Sequence, residues 1–279
     1  MLADSNPHAR LRRDGYATLP VLNGDQIRAL ERVFYACYGE APPAFFSTSL
    51  DENHPRRSRI DREIKEIAGS LIKGILPGYE VRMASFVAKG PGQESKVDLH
   101  QDYWFADYRK DLAFNVWIPL VDVDTTNGCL KVVEGSHSVF QSIVPTMCPT
   151  PYEHLRAVIE SEFMVPVPLK AGEAIVFDGR LMHGSYANLS NEVRLAMSCV
   201  ILPASVPLRV YKWTQEQASI LEVLEACDEA MSDWDYRVGF EEPYPEGVSH
   251  VETLDFAITP VELKELEKLR PERRVKEGL

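Results

Sequence analysis

The segment Val193-Arg194-Leu195-Ala196-Met197-Ser198-Cys199-Val200-Ile201 has the cleanest alternation of side chains in the sequence. Successive side chains of a strand point to opposite faces of a sheet, so its odd-numbered positions predict an apolar face packed on a core. Its even positions place Arg194 on the other face, beside Ala196 and Ser198. A buried guanidinium is costly unless an anion accompanies it. We therefore predict a strand whose inner face directs one arginine toward an anionic ligand.

Further strand patterns precede this segment. They lie at residues 16–22, 45–49, 81–88, 112–118, 129–133 and 174–177, and another carries His100 and Asp102. Helices are predicted after Asn23, which Gln26 completes as a capping box, and over residues 61–75, where apolar side chains recur at helical spacing. The pattern as a whole predicts a mainly β protein with flanking helices.

Two histidines and one aspartate form a candidate metal-binding set. His100 and Asp102 are separated by one residue, so their side chains leave the same face of an extended strand. His183 follows 81 residues after Asp102, and Arg194 follows eleven residues after His183. Two imidazoles and one carboxylate form the facial triad of non-haem Fe(II) oxygenases, which leaves coordination positions open. Since a His-x-Asp pair alone arises by chance, the prediction depends on the whole ordered set.

Further motifs accompany these residues. In chain order they are His100-Gln101-Asp102, Trp117-Ile118-Pro119-Leu120 with Asp122, Asn127-Gly128-Cys129-Leu130, Gly135-Ser136-His137, His183-Gly184-Ser185, Asn188 and Arg194. Over roughly residues 14–203 the chain resembles the phytanoyl-CoA dioxygenase family of iron- and 2-oxoglutarate-dependent oxygenases. The resemblance implies a double-stranded β-helix, the jelly roll of cupin-like proteins.

The resemblance also implies a reaction. His100, Asp102 and His183 would bind Fe(II), and 2-oxoglutarate and O2 would be cosubstrates. The expected activity is a dioxygenase that hydroxylates an unactivated C–H of a small-molecule metabolite and releases succinate and CO2. A carboxylate at Asp102 fills the position that halogenating relatives leave open, so we expect hydroxylation, with desaturation or cyclisation as alternative outcomes.

The cosubstrate pocket follows from the same resemblance. Arg194 and Ser185 would hold the distal carboxylate of 2-oxoglutarate, and Trp117 would line the pocket. We add Asn115, because strand alternation places it on the same face as Trp117. The family also has a basic or polar residue near the cosubstrate on an earlier strand, and Lys89 and Arg82 are both candidates for it.

Substrate contacts are less defined by the sequence. Gln101, Tyr103 and Trp104 adjoin the metal-binding pair and are expected to form a rim that contacts substrate; the alternative is a hydrophobic plug in the barrel mouth. The basic segment 55–62, which includes Arg59, has two interpretations. It is either a solvated loop and helix start or an anchor for a substrate carboxylate or phosphate. The substrate itself is not identified.

Charge and cysteine usage restrict the partners and the compartment. The chain has 30 Lys and Arg against 42 Asp and Glu, a formal net charge of −12, which argues against nucleic acid or an anionic membrane as partner. The five cysteines are scattered without a C-x-x-C pair, as expected for reduced thiols. The first residues contain no apolar run typical of a secretory signal. We therefore expect a cytoplasmic protein that acts on a small molecule.

The strand pattern ends near residue 206. We predict an oxygenase core with N-terminal helices at residues 1–206 and a helical C-terminal extension at residues 207–279. Thr214 with Gln217 resembles a capping box, and four apolar side chains at helical spacing predict a helix over residues 214–231. The extension would pack on the core or on a partner subunit, so both a monomer and a homodimer stay possible.

Two other functions fit part of the pattern. A jelly roll whose histidines are ordinary buried residues would bind a ligand without chemistry. A zinc hydrolase also uses three ligands of this kind and an open coordination position. The hydrolase leaves Arg194 unexplained and has no obvious general base, so we favour the oxygenase.

Overall fold

The computed structural model describes residues 6–39, 44–107, 109–139, 143–146, 148–236 and 243–270. The helices in these ranges are α1 (Pro7–Asp14), α2 (Gly24–Tyr38), α3 (His54–Ile75), α4 (Ser136–Val139), α5 (Arg156–Glu162), α6 (Asp228–Asp233) and α7 (Leu263–Leu266). The strands are β1 (Tyr16–Pro20), β2 (Phe45–Ser47), β3 (Tyr79–Lys89), β4 (Val97–His100), β5 (Phe114–Pro119), β6 (Leu130–Val133), β7 (Met164–Val167), β8 (Glu173–Asp178), β9 (His183–Ser185), β10 (Arg194–Pro203), β11 (Leu208–Lys212), β12 (Ile220–Ala226) and β13 (Val248–Asp255).

A six-stranded antiparallel sheet forms the larger layer, in the order β1-β8-β5-β10-β3-β2. Helices α2 and α3 cover one of its faces, where Phe34 and Ile64 pack with Met197 and Ile201. The predicted apolar face of residues 193–201 is therefore confirmed. Burial of each large apolar side chain contributes about 1.5–3 kcal/mol, which is what holds these helices on the sheet.

A four-stranded antiparallel sheet, in the order β4-β9-β6-β7, forms the smaller layer. Side chains from both sheets meet in one buried cluster that contains Trp117, Phe177 and Ala196 from the large sheet and Leu130 and Val132 from the small one. Two facing antiparallel sheets with this connectivity are a jelly roll. The predicted fold class is confirmed.

Two predicted boundaries differ from the structure. Strand β4 ends at His100, so Asp102 lies just beyond the strand that was expected to carry both residues. Helix α3 begins at His54, because the Asn53 side chain accepts the N–H of Arg56 and a proline occupies the first turn. The basic segment 55–62 is therefore helical throughout.

The predicted helix over residues 214–231 is wrong. Strand β12 occupies residues 220–226 and pairs with β11 and β13, and only α6 is helical in this part of the chain. The buried positions of β12, which include Leu221, Val223 and Leu224, fit a helical stripe as well as a strand face. Pairing with a strand more than 20 residues away along the chain decided the outcome, and a local pattern does not report such pairing.

The C-terminal sheet packs on the core. Tyr211 donates a hydrogen bond to the carbonyl of Ala106 at 2.7 Å, and Arg82 of β3 pairs with Asp228 at 2.6 Å. Trp104 joins the buried side chains of β11 and β12. Of the two predicted packing arrangements, the one on the core is present; the division at residue 206 stays a prediction. None of the described helices has the length and apolarity needed to cross a membrane.

Candidate metal and cosubstrate site

Strand pairing places the two candidate histidine ligands side by side. His100 lies opposite His183 in the β4–β9 ladder, and their ring centroids are 4.3 Å apart. A Cβ at Gly184 would lie 2.8 Å from the carbonyl oxygen of Val97, closer than real contacts allow. The absence of a side chain at Gly184 therefore lets the two strands approach where they carry the histidines.

Both imidazoles are fixed by backbone carbonyls. His100 Nδ1 lies 2.8 Å from the Asp98 oxygen, and His183 Nδ1 lies 2.9 Å from the Leu181 oxygen. A carbonyl only accepts hydrogen bonds, so each Nδ1 donates, which in the neutral imidazole leaves the lone pair on Nε2. Burial, together with the neighbouring His100, lowers the pKa of His183 to about 4. His183 is therefore neutral near pH 7, the form that binds metals.

The Asp102 carboxylate completes the set. Its two oxygens lie 3.6 Å from His100 Nε2 and 3.6 Å from His183 Nε2, and one ligand atom from each residue lies within 4.8 Å of the others. Two atoms each roughly 2.1 Å from one ion are at most about 4.2 Å apart, so these carboxylate–imidazole spacings suit a shared ion better than direct hydrogen bonds. The Asn115 amide donates to Asp102 Oδ2. Asn115, predicted beside 2-oxoglutarate, thus contacts the candidate carboxylate ligand.

A second part of the site is cationic. Arg194 lies opposite Lys89 in the β10–β3 ladder, and both residues are buried, with 2% and 0% of their surface exposed. Arg194 Nη1 donates to the Val87 carbonyl at 3.1 Å, and Lys89 Nζ donates to the Tyr186 carbonyl at 2.5 Å. Arg194 Nε has no hydrogen-bond partner in the part of the chain that the structure describes.

Burial disfavours both charges. It lowers the pKa of Arg194 to about 9, and burial followed by repulsion from Arg194 lowers the pKa of Lys89 to about 6. Within the described ranges no carboxylate is among the groups that act on either cation. A bound anion would therefore offset the desolvation cost of these buried cations in the ligand-free protein. The sequence left two candidates for the basic residue near the cosubstrate. Lys89 lies beside Arg194, whereas Arg82 forms an ion pair with Asp228.

One cavity connects the two parts of the site. It has a volume of about 590 Å³ and lies between the two sheets. The predicted metal and cosubstrate residues that line it are His100, Asp102, Asn115, Trp117, His183, Ser185 and Arg194. The Arg194 guanidinium carbon lies 5.3 Å from the centre of the Trp117 ring, within the range of a cation–π contact.

The predicted substrate contacts divide into two groups. Gln101 and Tyr103 line the cavity. Trp104 instead packs in the cluster under the C-terminal sheet, and the exposed Arg59 pairs with Glu63 at 2.6 Å, so neither reaches the cavity wall. Arg57 lines the cavity in place of Arg59.

Helical spacing explains the difference between the two arginines. Arg57 precedes the buried Ile60 by three residues and Ile64 by seven, so it shares their face of α3. The same spacing in the sequence would have identified Arg57, had the helix start at His54 been recognised.

Known proteins share both sequence and fold with this chain. The family model for phytanoyl-CoA dioxygenase (PhyH) matches residues 40–196. Phytanoyl-CoA dioxygenase 1 of Oryza sativa subsp. japonica is 30% identical over 124 residues, which are 44% of each chain. Ectoine dioxygenase of Halomonas elongata is 35% identical over 142 residues, 43% of this chain and 42% of the relative. The matches thus span less than half the length of these relatives.

Solved structures share the fold at lower identity. The non-heme alpha ketoglutarate dependent carbocyclase SnoK from nogalamycin biosynthesis aligns with a TM-score of 0.53 and 19% identity, over 74% of this chain and 87% of that one. EvdO2 from Micromonospora carbonacea var. aurantiaca, complexed with 2-oxoglutarate, aligns with a TM-score of 0.54 and 18% identity, over 73% and 92% of the two chains. The matched family model covers more than half of this chain, which therefore belongs to the phytanoyl-CoA dioxygenase family.

Proposed function

We propose that this protein is an Fe(II)- and 2-oxoglutarate-dependent dioxygenase that hydroxylates an unactivated C–H of a small-molecule metabolite. One 2-oxoglutarate, one O2 and one C–H substrate would give succinate, CO2 and the hydroxylated product. The observation that carries this proposal is one cavity whose lining joins three convergent metal-type ligands with the buried Arg194, beside which Lys89 is buried. A diacid that chelates a metal through one end and an arginine through the other fits both parts.

Each residue has a defined task in this proposal. His100, Asp102 and His183 would hold the ferrous ion from one side, and this leaves positions for the keto acid and for O2. When bound, the ion and 2-oxoglutarate together supply the oxidant for the C–H bond. Asn115 orients the Asp102 carboxylate through its amide hydrogen bond.

The cosubstrate pocket would orient the other end of the diacid. Arg194 would bind its distal carboxylate as a planar two-pronged donor, with the Ser185 hydroxyl as a second donor. Lys89 would add a second positive charge, and Trp117 would hold the guanidinium plane.

Further features of the proposal follow from the cavity and the charge of the chain. A volume of about 590 Å³ is within the usual range for small-molecule sites and supports a metabolite as substrate. The net charge of −12 supports the absence of nucleic acid and of an anionic membrane among its partners. We infer a cytoplasmic enzyme, monomeric or homodimeric, with its oxygenase core at residues 1–206.

The decisive experiment is aerobic turnover of 2-oxoglutarate with added Fe(II). We expect O2-dependent succinate formation, abolished in Asp102→Ala and retained in Asp25→Ala, which changes an exposed aspartate of α2. A binding protein would form no succinate, and a zinc hydrolase would work without oxygen. Succinate formation that persists unchanged in Asp102→Ala would contradict the proposal.

A further inference from the structure

The backbones that carry the two histidines are supported differently. His183 lies on β9, a central strand of the small sheet, with His100 opposite it on one side and Val132 on the other. His100 ends β4, the edge strand, which pairs with β9 alone among the described strands and changes register between Val97 and His100. An edge strand presents backbone groups that no neighbouring strand satisfies. The position of His100 therefore depends on whatever binds the outer edge of β4.

Helix α5 binds the residue next to His100. Arg156 Nη1 donates to the Leu99 carbonyl at 2.7 Å, and the Leu99 N–H donates to Glu160 Oε1 at 3.3 Å. The two side chains are four residues apart, so they leave the same face of α5. Arg156 thus donates to the backbone of Leu99 and Glu160 accepts from it, as the backbone of a neighbouring strand would.

Both side chains are themselves held in place. Glu153 accepts two hydrogen bonds from the Arg156 guanidinium, at 2.9 and 2.7 Å. Lys96 donates to Glu160 at 3.0 Å, and Lys131 Nζ lies 3.9 Å from the same carboxylate. Ion pairs therefore hold both Arg156 and Glu160 in the positions from which they bind Leu99.

Packing supports the same contact. The Leu99 side chain is 1% exposed and shares a buried cluster with Ile159 and Phe163, from α5 and the residue after it. Movement of α5 would therefore shift the Leu99 backbone. His100 would move with it, since its ring is oriented by a bond from Nδ1 to the carbonyl of Asp98, also on β4.

We propose that Arg156 and Glu160 are positioning residues for His100: they clamp the Leu99 peptide groups from α5 and so preorganise the metal site. This inference rests on the proposed function in so far as His100 binds a metal. Groups that orient metal ligands typically change metal affinity by about 10- to 100-fold when they are removed. The clamp acts on one histidine only, because neighbouring strands already fix the other.

The test is anaerobic titration of the metal-free full-length protein with Co(II), followed by calorimetry and by the visible absorption of the bound ion. We expect Arg156→Met and Glu160→Ala each to weaken Co(II) binding about tenfold or more and to change its absorption spectrum. Glu160→Gln keeps an oxygen acceptor for the Leu99 N–H and should stay within about threefold of wild type. Glu153→Gln removes the ion pair of Arg156 but leaves its bond to Leu99, and it is the matched control.

The outcomes separate this inference from the proposed function. If the wild type binds no Co(II), the metal site itself is refuted. If the wild type binds Co(II) and folded Arg156→Met and Glu160→Ala bind it equally well with the same spectrum, the clamp is refuted. Thermal unfolding of each metal-free variant identifies those that fail to fold; for them Arg156→Lys and Glu160→Gln, which keep charge or shape, give the graded comparison. The clamp predicts weaker binding by Arg156→Lys than by Glu153→Gln, and equal binding would overturn it.

Discussion

The two ends of the cavity solve opposite electrostatic problems. At the triad end, two imidazoles surround one carboxylate, and each Nδ1–H has a carbonyl acceptor. At the cationic end, Arg194 and Lys89 are buried side by side, and among the described residues each donates to a backbone carbonyl. The first end is arranged to receive a cation and the second to receive an anion.

The triad end is therefore preorganised, whereas the cationic end depends on a ligand to offset the cost of its buried charge. The triad end keeps its geometry through hydrogen bonds that exist without any ligand. The cationic end bears the desolvation of the buried Arg194 guanidinium, and replacing a buried ion pair by apolar side chains of similar volume is often neutral or stabilising by about 1–4 kcal/mol. We therefore expect substitutions at the two ends to affect stability in opposite directions.

The largest effect is expected at the triad. His183→Ala removes one of three proposed ligands, so Fe(II) binding should weaken by at least about 100-fold and succinate formation should be lost. The stability of the metal-free protein should fall, because a buried side chain is truncated. Metal titration and thermal unfolding measure the two effects. Unchanged metal affinity would show that His183 is not a ligand.

Arg194→Met should break the cationic end while sparing the fold. We expect 2-oxoglutarate to bind about 100-fold more weakly, since loss of one partner of a buried charge pair costs about 2–5 kcal/mol. The ligand-free variant should unfold at a temperature equal to or a few degrees above that of wild type, because an uncompensated buried charge is removed. A fall in stability together with unchanged affinity would contradict the comparison.

Lys89 should make cosubstrate binding depend on pH. Its pKa of about 6 leaves it mostly neutral above pH 7, and a bound dianion favours its charged form. Binding should therefore take up a proton, and affinity should fall as pH rises from about 6 to 8. The ligand-free protein should instead gain stability over that range, since the unfolded chain binds more protons at Lys89 than the folded chain does.

Calorimetry in two buffers of different ionisation enthalpy measures this proton uptake directly. Lys89→Met supplies the control, because it retains the side-chain volume but does not titrate. The proton uptake should fall markedly in the variant, and its affinity should vary less with pH. Equal uptake in both proteins would assign the proton to another group.

The smallest effect is expected at Asn115. Asn115→Ala removes the amide that donates to Asp102 but leaves all three ligands. Metal affinity should fall by about tenfold, at the low end for a group that orients a ligand. Cosubstrate affinity, measured with saturating metal, should change less than in Arg194→Met. A larger loss of cosubstrate affinity in Asn115→Ala than in Arg194→Met would indicate that Asn115 contacts the cosubstrate.

The sequence predicted those features of the fold that depend on a regular alternation of side chains along one strand. The alternation at residues 193–201 placed Arg194 inside and five apolar side chains on the helix-covered face, as the structure has them. The strand patterns predicted a mainly β protein, and the jelly roll followed from the resemblance to the phytanoyl-CoA dioxygenase family. The role of each site residue stays a prediction, although the structure brings the triad and Arg194 to one cavity.

Contacts between distant segments were beyond the sequence. The choice of Lys89 over Arg82 depends on which residue lies opposite Arg194 across the β3–β10 ladder, and no spacing in the chain reports that register. The strand at residues 220–226 likewise depends on its pairing with β13. The contact of Arg156 with Leu99 joins residues 57 positions apart, so only the folded chain reveals it.

The most direct test of the whole account compares two keto acids on the metal-loaded protein without oxygen. 2-Oxoglutarate and 2-oxovalerate share the chelating end, but only 2-oxoglutarate has a distal carboxylate. Calorimetry with wild type should show a preference of about 100-fold for 2-oxoglutarate, and Arg194→Met should reduce that preference at least tenfold. Equal binding of the two acids by wild type, or a preference that survives in Arg194→Met, would contradict the claim that the metal centre and the buried arginine hold one diacid between them.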